Sequence, residues 1–394
     1  MSRLFTPIGI GPVTARNRLW VSPMCQYSSE SMDGQAYPWH AAHYGSLAAG
    51  GAGLVVLEAT GVAPEGRITP WDLGLWDDSQ IGPLASIAAF IKAQGALAGI
   101  QLGHAGRKGS AQKMWLGDGH VPPERGGYQT YAPSPIAFGA LPEPRELTND
   151  QIADLVAAFA AAAGRAARAG FDVIELHGAH GYLIHQFLSP LSNRRRDRYG
   201  GSLENRCRFA LEAVAAARAA IGPDRALLLR ISATDWVDGG WDLDQSVELV
   251  RAAKDLGLDH IDVSTGGLAP DAQVPVKPGY QAPFGAAIRR RAALSTNTVG
   301  VIETPEQAEA LIADGPADGA ANAAGAAGAA GAADDVDAVM LGRPFLRDPH
   351  IAVAWATRLG LEPADWCPPQ YARAGWQRYY APGAGSLPVT AVGR

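Results

Sequence analysis

Short apolar runs alternate along the chain with longer stretches in which apolar residues recur at helical spacing. The runs are almost continuously apolar, which predicts strands buried on both faces of a parallel sheet. Eight such runs are present, at residues 18–24, 54–62, 98–106, 171–179, 226–234, 260–267, 297–302 and 337–343. Several of the stretches between them open with Asp, Asn or Thr and end at Gly, as capped helices do. Eight strand–helix units predict an α/β fold of the (β/α)8 TIM barrel type.

An open, doubly wound sheet is the main alternative for alternating strands and helices. That fold binds dinucleotides through a G-x-G-x-x-G motif directly after its first strand. No such motif opens a helix in this chain. The pattern therefore favours the barrel, as a single domain over residues 1–380.

Three segments interrupt the alternation. Residues 107–148 are polar and rich in Pro and Gly, and they follow a strand. In a barrel they emerge on the active-site face, where they either cover the site or form a plain surface loop. Residues 319–333 contain only Ala, Gly and Asn, which predicts an insertion, at about 316–335, on the opposite face and without a role in the chemistry. Residues 381–394 are expected to form a flexible C-terminal tail.

Composition narrows the class of protein. Hydrophobic residues make up 47% of the 394 residues, enough to bury a core. Lys and Arg total 33 against 39 Asp and Glu, a formal net charge of −6 that argues against nucleic acid as a partner. The three cysteines are widely spaced, so a zinc ribbon, an iron–sulfur cluster or a disulfide framework is not expected. No apolar run approaches the roughly 18 residues of a membrane helix, and we expect a cytoplasmic protein.

Chemically active residues cluster where the predicted strands end. They are Ser22, Cys25, Glu58, Gln101, His104, Arg107, Lys108, His177, His180, Tyr182, Arg230, Gly300, Gly342 and Arg343. Barrel active sites are built at the carboxyl ends of the strands, and glycines after strands 7 and 8 commonly bind a phosphate group through backbone N–H donors. The sequence therefore predicts one active site that includes a phosphate-binding position.

One long motif carries a resemblance to a known family. Residues 177–206, HGAHGYLIHQFLSPLSNRRRDRYGGSLENR, closely resemble the Old Yellow Enzyme family of FMN-dependent ene-reductases. SPMCQYS at 22–28 is similar to the thermophilic-like branch of that family, which includes xenobiotic reductases and NADPH dehydrogenases. QLGHAGRK, RISATDW, MLGRPFLRDP and PPQYAR fit the same branch. The resemblance covers about residues 3–376 without the Ala/Gly insertion.

The resemblance implies noncovalent FMN across the barrel mouth, reduced by NADPH or NADH. Gly300, Gly342 and Arg343 match the phosphate site, and Gln101 and Arg230 match residues that bond the pyrimidine edge of the flavin ring. The positions that match ring and ribityl contacts are Ser22, Pro23, Met24 and Ala59. Cys25 matches a cysteine near the reactive flavin nitrogen that modulates the redox potential.

The resemblance also implies reduction of the C=C bond of α,β-unsaturated carbonyl compounds, and of nitro compounds as a further class, by ping-pong hydride transfer. His177 and His180 match the pair that binds the carbonyl oxygen, and Tyr182 matches the proton donor. Tyr27 and Lys108 match substrate contacts. Arg373 matches an arginine that enters the site of a neighbouring subunit, which implies a homodimer or homotetramer, and the nearby Trp376 is an alternative for that place.

Several alternatives accompany this hypothesis. His177 and His180 have the H-x-x-H spacing of zinc ligands, although no third ligand is evident nearby, and they could also be structural histidines. The basic run at 193–198 is either a salt-bridged loop, which we favour, or a site for the 2′-phosphate of NADPH or for nucleic acid. At the level of function, the alternatives are a flavin-dependent nitro or quinone reductase and a flavin-binding barrel without enone turnover.

Overall fold

Eight parallel strands close into a barrel in the computed structural model, which describes residues 2–313 and 335–380. In chain order the strands are β1 (Ile8–Ile10), β2 (Val13–Ala15), β3 (Leu19–Val21), β4 (Leu54–Gly61), β5 (Leu97–Gly103), β6 (Tyr131–Ala132), β7 (Arg145–Glu146), β8 (Val173–Gly178), β9 (Ala226–Ser232), β10 (His260–Ser264), β11 (Thr296–Thr298) and β12 (Ala338–Leu341). The ring runs β3–β4–β5–β8–β9–β10–β11–β12, and β12 pairs with β3 to close it. The predicted barrel is confirmed.

Helices surround the barrel and supply the other side of the core. They are α1 (Pro38–Ala49), α2 (Ile81–Ala93), α3 (Asn149–Arg168), α4 (Leu183–Leu188), α5 (Leu203–Ile221), α6 (Leu243–Asp255), α7 (Ala282–Ala292), α8 (Pro305–Ala310), α9 (Arg343–Arg347), α10 (Ile351–Arg358) and α11 (Trp376–Tyr380). Several of these helices begin at a residue whose side chain caps the first turn. For α3, α5 and α6, Thr148, Ser202 and Asp242 each accept a hydrogen bond from a backbone N–H of that turn. None of the helices in this part of the chain combines the length and apolarity that crossing a bilayer requires.

All eight predicted strands are present, but most are shorter than their apolar runs. The run at 297–302 contributes only its first two residues to β11. Gly300 and Val301 both have positive φ angles, +115° and +51°, and such a backbone cannot continue a strand. The apolar pattern thus extends past the sheet into the loops that form the site.

The hairpin of β1 and β2 was not predicted. It is antiparallel, and its Ile8 and Ile10 are buried against Trp20, Val56 and Leu228 from inside the barrel. The hairpin therefore closes the end of the barrel opposite the active site. Its strands of three residues are too short to show a clear alternation of apolar and polar positions.

The other interruptions have different outcomes. Residues 107–148 contain short 3-10 turns and the two-residue strands β6 and β7, which pair with each other. Phe138 from this segment packs on the ammonium of Lys108, 4.4 Å from the ring centre, so the segment does adjoin the site. The predicted insertion at 319–333 and the tail at 381–394 lie outside the described residues. The boundaries of the single domain therefore stay predictions.

Candidate active site

Strand register brings the predicted polar residues together at the mouth of the barrel, the end where the parallel strands have their carboxyl termini. His177 on β8 lies opposite Arg230 on β9, and Arg230 lies opposite Asp262 on β10. On the other side, Gln101 on β5 lies opposite Glu175 on β8. All five side chains are buried. They form a polar layer, whereas most of the side chains that pack together below them inside the barrel are apolar.

His177 presents a neutral imidazole to this layer. Its Nδ1 accepts a hydrogen bond from the backbone N–H of Ala179 at 3.3 Å, so the ring proton is assigned to Nε2. Burial, together with the positive charges of Arg230 and Lys108, holds the pKa of His177 well below its usual range. The ring is therefore a hydrogen-bond donor without a formal charge.

His180 lies on a strained turn after β8. Its φ angle is +56°, in the left-handed region, and its backbone N–H donates to Ser232 Oγ at 2.9 Å. The Lys108 ammonium donates to the His180 carbonyl at 2.9 Å and to the Gly267 carbonyl at 3.1 Å. These contacts hold the turn against the loop that follows β10, and burial keeps the His180 pKa well below its usual range.

Close backbone approach requires glycine on both sides of this contact. A Cβ atom at Gly181 would lie 2.3 Å from the Gly267 carbonyl oxygen, and one at Gly267 would lie 2.7 Å from the His180 Cα. Both glycines have positive φ angles. The HGAHGY sequence therefore specifies the shape of the turn as well as its side chains.

The two histidines and Tyr182 form one aromatic cluster. The His177 ring centre lies 5.2 Å from that of His180 and 4.9 Å from that of Tyr182, both edge to face. Burial and the nearby Cys25 and Asp72 raise the Tyr182 pKa above its ordinary value. The phenol is therefore protonated throughout the physiological pH range.

Lys108 has a different environment from the one expected for a substrate contact at the rim. Its ammonium donates to the two backbone carbonyls already named and lies 5.1 Å from the Tyr182 ring centre. Burial lowers its pKa to about 8. The side chain thus holds the turn of His180, whatever its contact with substrate.

Cys25 and Tyr27 lie across the mouth from the histidines. They pack with Tyr182 against Ala59, and the Cys25 thiol is within hydrogen-bonding reach of the Tyr27 hydroxyl. Burial raises the pKa of Cys25 well above its usual value, so the thiol is neutral. Tyr27 also meets Trp115 of the 107–148 segment, with ring centres 5.9 Å apart.

Glu58 is a buried acid on the outer side of the barrel wall, and it holds the segment of Cys25 and Tyr27 in place. Glu58 accepts hydrogen bonds from the Gln26 backbone N–H at 3.0 Å and from the Tyr44 hydroxyl at 2.6 Å. Burial raises the Glu58 pKa to about 8. Glu58 therefore acts on the position of Cys25 and Tyr27 from outside the barrel.

The residues predicted to hold a phosphate line a single cavity of about 240 Å³. Its walls are the loops after β11 and β12, with Gly300, Gly342, Arg343 and the side chain of Met24. A Cβ atom at Gly300 would lie 2.8 Å from Gln281 Nε2, so only glycine leaves this loop in place. A glycine-lined cavity with one arginine at its edge fits the phosphate end of FMN.

The remaining FMN positions are also grouped at the mouth. Arg230 is buried and supplies a cation, and Gln101 supplies an amide, both suited to the polar edge of a flavin ring. Ser22 and Ala59 are buried, whereas Pro23, Met24 and Cys25 are partly buried along the same edge. The residues present therefore fit FMN along its whole length, from ring to phosphate.

Two predicted features lie elsewhere. Arg373 is exposed in the segment before α11, on the outer layer of helices. Within the basic run at 193–198, Arg195 is buried and pairs with Asp197 and Glu146, and Arg198 pairs with Glu212. The favoured interpretation of this run as a salt-bridged loop is confirmed for these two arginines.

Sequence reasoning missed four residues of the site. Asp72, Glu175, Asp262 and Ser264 are buried at the mouth or directly beneath it. Ser264 Oγ lies 2.8 Å from His180 Nε2. Each of the last three lies on a strand already predicted, at an inward position, so alternation along β8 and β10 could have found them. Asp72 lies in a loop and had no such signal.

Comparisons with known proteins agree with this geometry. A family model described as NADH:flavin oxidoreductase / NADH oxidase matches residues 3–362. An NADPH dehydrogenase from Listeria monocytogenes is 44% identical over 375 residues, which are 95% of this chain and 99% of that protein. The chain belongs to the NADH:flavin oxidoreductase / NADH oxidase family.

Two solved structures are also similar to this chain and narrow the family assignment. Morphinone reductase has a TM-score of 0.72 and 27% identity, with 96% of each chain covered. An old yellow enzyme homologue from Zymomonas mobilis has a TM-score of 0.68 and 27% identity, with 88% of this chain and 90% of that one covered. The predicted membership of the Old Yellow Enzyme family is confirmed, and the chain is an oxidoreductase with FMN as its cofactor.

The contacts of the two histidines bear on the zinc alternative. His177 Nδ1 and His180 Nε2 are both engaged in hydrogen bonds. Over residues 2–313 and 335–380, no group of three His, Cys, Asp or Glu side chains is arranged to hold a metal ion.

Proposed function

We propose that the protein reduces the C=C bond of α,β-unsaturated carbonyl compounds with NADPH as the electron source. The observation that carries this proposal is the cluster of His177, His180 and Tyr182 at the barrel mouth, beside the residues that fit the flavin ring. The cluster combines two neutral donors for an oxygen with one protonated phenol. Reduction of a polarised alkene needs both of these groups.

The histidines supply the oxygen-binding part. Ser264 Oγ lies 2.8 Å from His180 Nε2 and 3.2 Å from Gln281 Oε1, an oxygen that also accepts from Thr265 Oγ1 at 2.7 Å. We propose the His180 tautomer in which the Ser264 hydroxyl donates to Nε2 instead of to Gln281, so that His180 carries its proton on Nδ1, while His177 carries its own on Nε2. Two N–H donors aimed at one carbonyl oxygen stabilise the negative charge that develops there when hydride adds to the β-carbon.

Tyr182 supplies the proton. FMN, held by the residues at the mouth that fit its ring and phosphate, would supply hydride transfer between the nicotinamide nucleotide and the β-carbon of the substrate. The Tyr182 hydroxyl donates its proton to the α-carbon and recovers one from water. The balance is one NADPH and one proton consumed per C=C bond reduced, with NADP⁺ released.

Three further expectations belong to this proposal. NADPH is preferred over NADH, in line with the names of relatives such as the Listeria protein. Arg373, exposed before α11, reaches the site of a second copy in a homodimer or homotetramer. The protein is cytoplasmic, which agrees with the free state of Cys25, Cys207 and Cys367.

Anaerobic flavin spectroscopy of the two half-reactions tests the proposal. NADPH should bleach the flavin absorbance, and 2-cyclohexenone should restore it. In His177→Ala/His180→Ala the flavin should bind and bleach but not recover. In Tyr182→Phe recovery should slow by about 10²–10⁴-fold, whereas the matched control Tyr199→Phe, at a tyrosine bonded to Glu212, should behave as wild type.

Each other outcome has a distinct meaning. Full enone turnover in the double histidine variant would contradict the oxygen-binding role. Bleaching by NADPH with recovery by nitro compounds or quinones, but by no alkene, would replace the proposed substrate class with the alternative one.

A further inference from the structure

Two carboxyl groups are buried together beneath the flavin positions, and the function proposed above uses neither. Glu175 Oε1 accepts a hydrogen bond from Gln101 Nε2 at 2.7 Å, and Asp262 Oδ1 accepts one from Asn297 Nδ2 at 2.6 Å. Both side chains are fully buried. The pair belongs to the polar layer at the mouth, and it includes the partner of the Arg230 guanidinium, whose Nε lies 3.0 Å from Asp262 Oδ2.

The second oxygen of each acid lacks a conventional hydrogen-bond donor. Glu175 Oε2 is buried without any donor among the described residues, and Asp262 Oδ2 has only the Arg230 ion pair, whose geometry does not make a hydrogen bond. The two carboxyl groups are within hydrogen-bonding reach of each other. Two ionised carboxylates in this position would repel each other in a buried site, and one proton between them removes both the repulsion and the missing donor.

We propose that Glu175 is the neutral acid in the resting protein, shares its proton with Asp262, and by this proton sets the charge of the layer beneath the flavin. With the proton in place, the charges of Arg230 and Asp262 cancel. Without it, the layer carries one net negative charge next to the ring. Glu175 is thus a positioning residue that keeps the Asp262 carboxylate paired with Arg230.

The surrounding groups favour the proton on Glu175 over one on Asp262. Arg230 from β9 contacts Asp262 directly and stabilises its anion. Beyond Asp262, His260 from β10 is neutral because burial lowers its pKa, and its Nε2 lies 2.8 Å from Asn297 Oδ1. On β8 itself the nearest titratable group toward the mouth is His177, which is also neutral. Burial and the Asp262 charge raise the Glu175 pKa to about 8.

The proton has a consequence for the redox potential of the flavin. Reduction brings negative charge to the ring, and an ionised Glu175 close below it then binds a proton more tightly. Above pH about 8, and below the higher pKa that Glu175 has in the reduced protein, the number of protons taken up per two electrons should therefore rise by up to one. Below that pH the acid is already protonated, and the extra uptake is absent.

The first experiment examines the proton without the cofactor. Infrared difference spectra of the apoprotein between neutral and alkaline pH should contain the carbonyl band of a buried carboxylic acid, and Glu175→Gln should lose it. Glu58 is a second buried acid with a raised pKa. Glu58→Gln is therefore the matched control, and it should remove a different band.

The second experiment measures the flavin midpoint potential of the holoenzyme against pH by mediated reduction. Wild type and Glu58→Gln should gain one proton per two electrons at alkaline pH, and Glu175→Gln should not. Asp262→Asn, which removes the neighbouring charge, should move the gain to lower pH or abolish it. This second variant keeps the inference testable if Glu175→Gln does not fold.

Two results would overturn the inference: an acid band that persists in Glu175→Gln and Asp262→Asn, or identical pH slopes in wild type and Glu175→Gln. The inference depends on the proposed function only for the place of FMN above the layer. Failure to bind FMN would contradict that placement and leave the infrared result unaffected, so the two failures are distinguishable.

Discussion

Burial keeps several ionisable side chains at or near the mouth of the barrel in their neutral form. His177 and His180 are uncharged because burial lowers their pKa values, and Tyr182 is protonated because burial raises its own. Glu58 is held by two hydrogen bonds on its carboxyl oxygens and still has a pKa of about 8. Desolvation outweighs hydrogen bonding at each of these residues, so the mouth holds fewer charges than its residue types suggest.

Glu58 gives a prediction for stability against pH. Its pKa is raised from 4.5 in the unfolded chain to about 8 in the folded protein, so the folded state binds more protons between these values. The free energy of unfolding should fall as pH rises through this range, by up to about 1.4 kcal/mol per pH unit for one such group. Glu58→Gln should reduce the slope. Glu175, with a similar pKa, should account for part of the remainder.

Urea unfolding of the apoprotein at several pH values from 5 to 8 measures this slope. A Glu58→Gln variant whose stability falls as steeply as that of wild type would show that Glu58 is ionised in the folded protein. Glu303→Gln, at an exposed residue, is the matched control and should leave the slope unchanged.

Among the elements, the turn between β8 and α4 positions the most chemistry. It brings His177, His180 and Tyr182 together within six residues, and it depends on the loop after β10 for support. Lys108 joins the two by donating to a carbonyl on each side. The conformation of the turn therefore depends on the loop after β10 and on Lys108 as well as on its own sequence.

Gly267→Ala tests this dependence. The added methyl group would lie 2.7 Å from the His180 Cα, and the φ angle of +86° adds strain of about 1–3 kcal/mol. We expect kcat/KM for 2-cyclohexenone to fall on the order of tenfold or more, with FMN binding retained. Gly201→Ala is the control, because Gly201 has a similar φ of +82° and nothing within 4 Å of the added atom. Equal losses in both variants would mean that backbone strain, and not the contact with His180, is responsible.

The sequence predicts the features of these elements that depend on neighbouring residues, but not those that depend on residues far apart along the chain. The strands were predictable because burial on both faces leaves a continuous apolar run, as at 226–234. Alternation could identify Ser264 and Asp262 as inward residues but not as the partners of His180 and Glu175, because they lie more than 80 residues away and meet them only through the register of β8, β9 and β10. Asp72, in a loop, has no periodic signal at all. The HGAHGY motif predicts the side chains that we propose to be catalytic but not the groups that set their protonation.

At the scale of the whole molecule, one end of the barrel contributes to stability and the other end holds the candidate active site. The β1–β2 hairpin packs apolar side chains against the interior strands at one end. The polar layer and the glycine-lined cavity occupy the other end. Stability and chemistry are therefore separable by mutation.

Ile10→Ala provides the test. Ile10 is buried against the barrel interior, and its truncation should cost about 2–5 kcal/mol of unfolding free energy. The kcat for enone reduction at low temperature should not change, because the hairpin does not contact the mouth. Thr14→Ala, at an exposed position of the same hairpin, should change stability by less than about 0.5 kcal/mol. A fall in kcat for Ile10→Ala in fully folded protein would contradict the separation.

The pairing of β12 with β3 has a consequence for how the protein is made. The guanidinium of Arg18 donates to the Asp337 carbonyl across 319 residues of chain, so one edge of β3 stays open until the chain through β12 has been synthesised. Gly342 and Arg343 follow β12 directly, so the nucleotide pocket exists only after the ring has closed. We therefore expect FMN to bind only after ring closure and, by binding there, to stabilise the closed form of newly made protein.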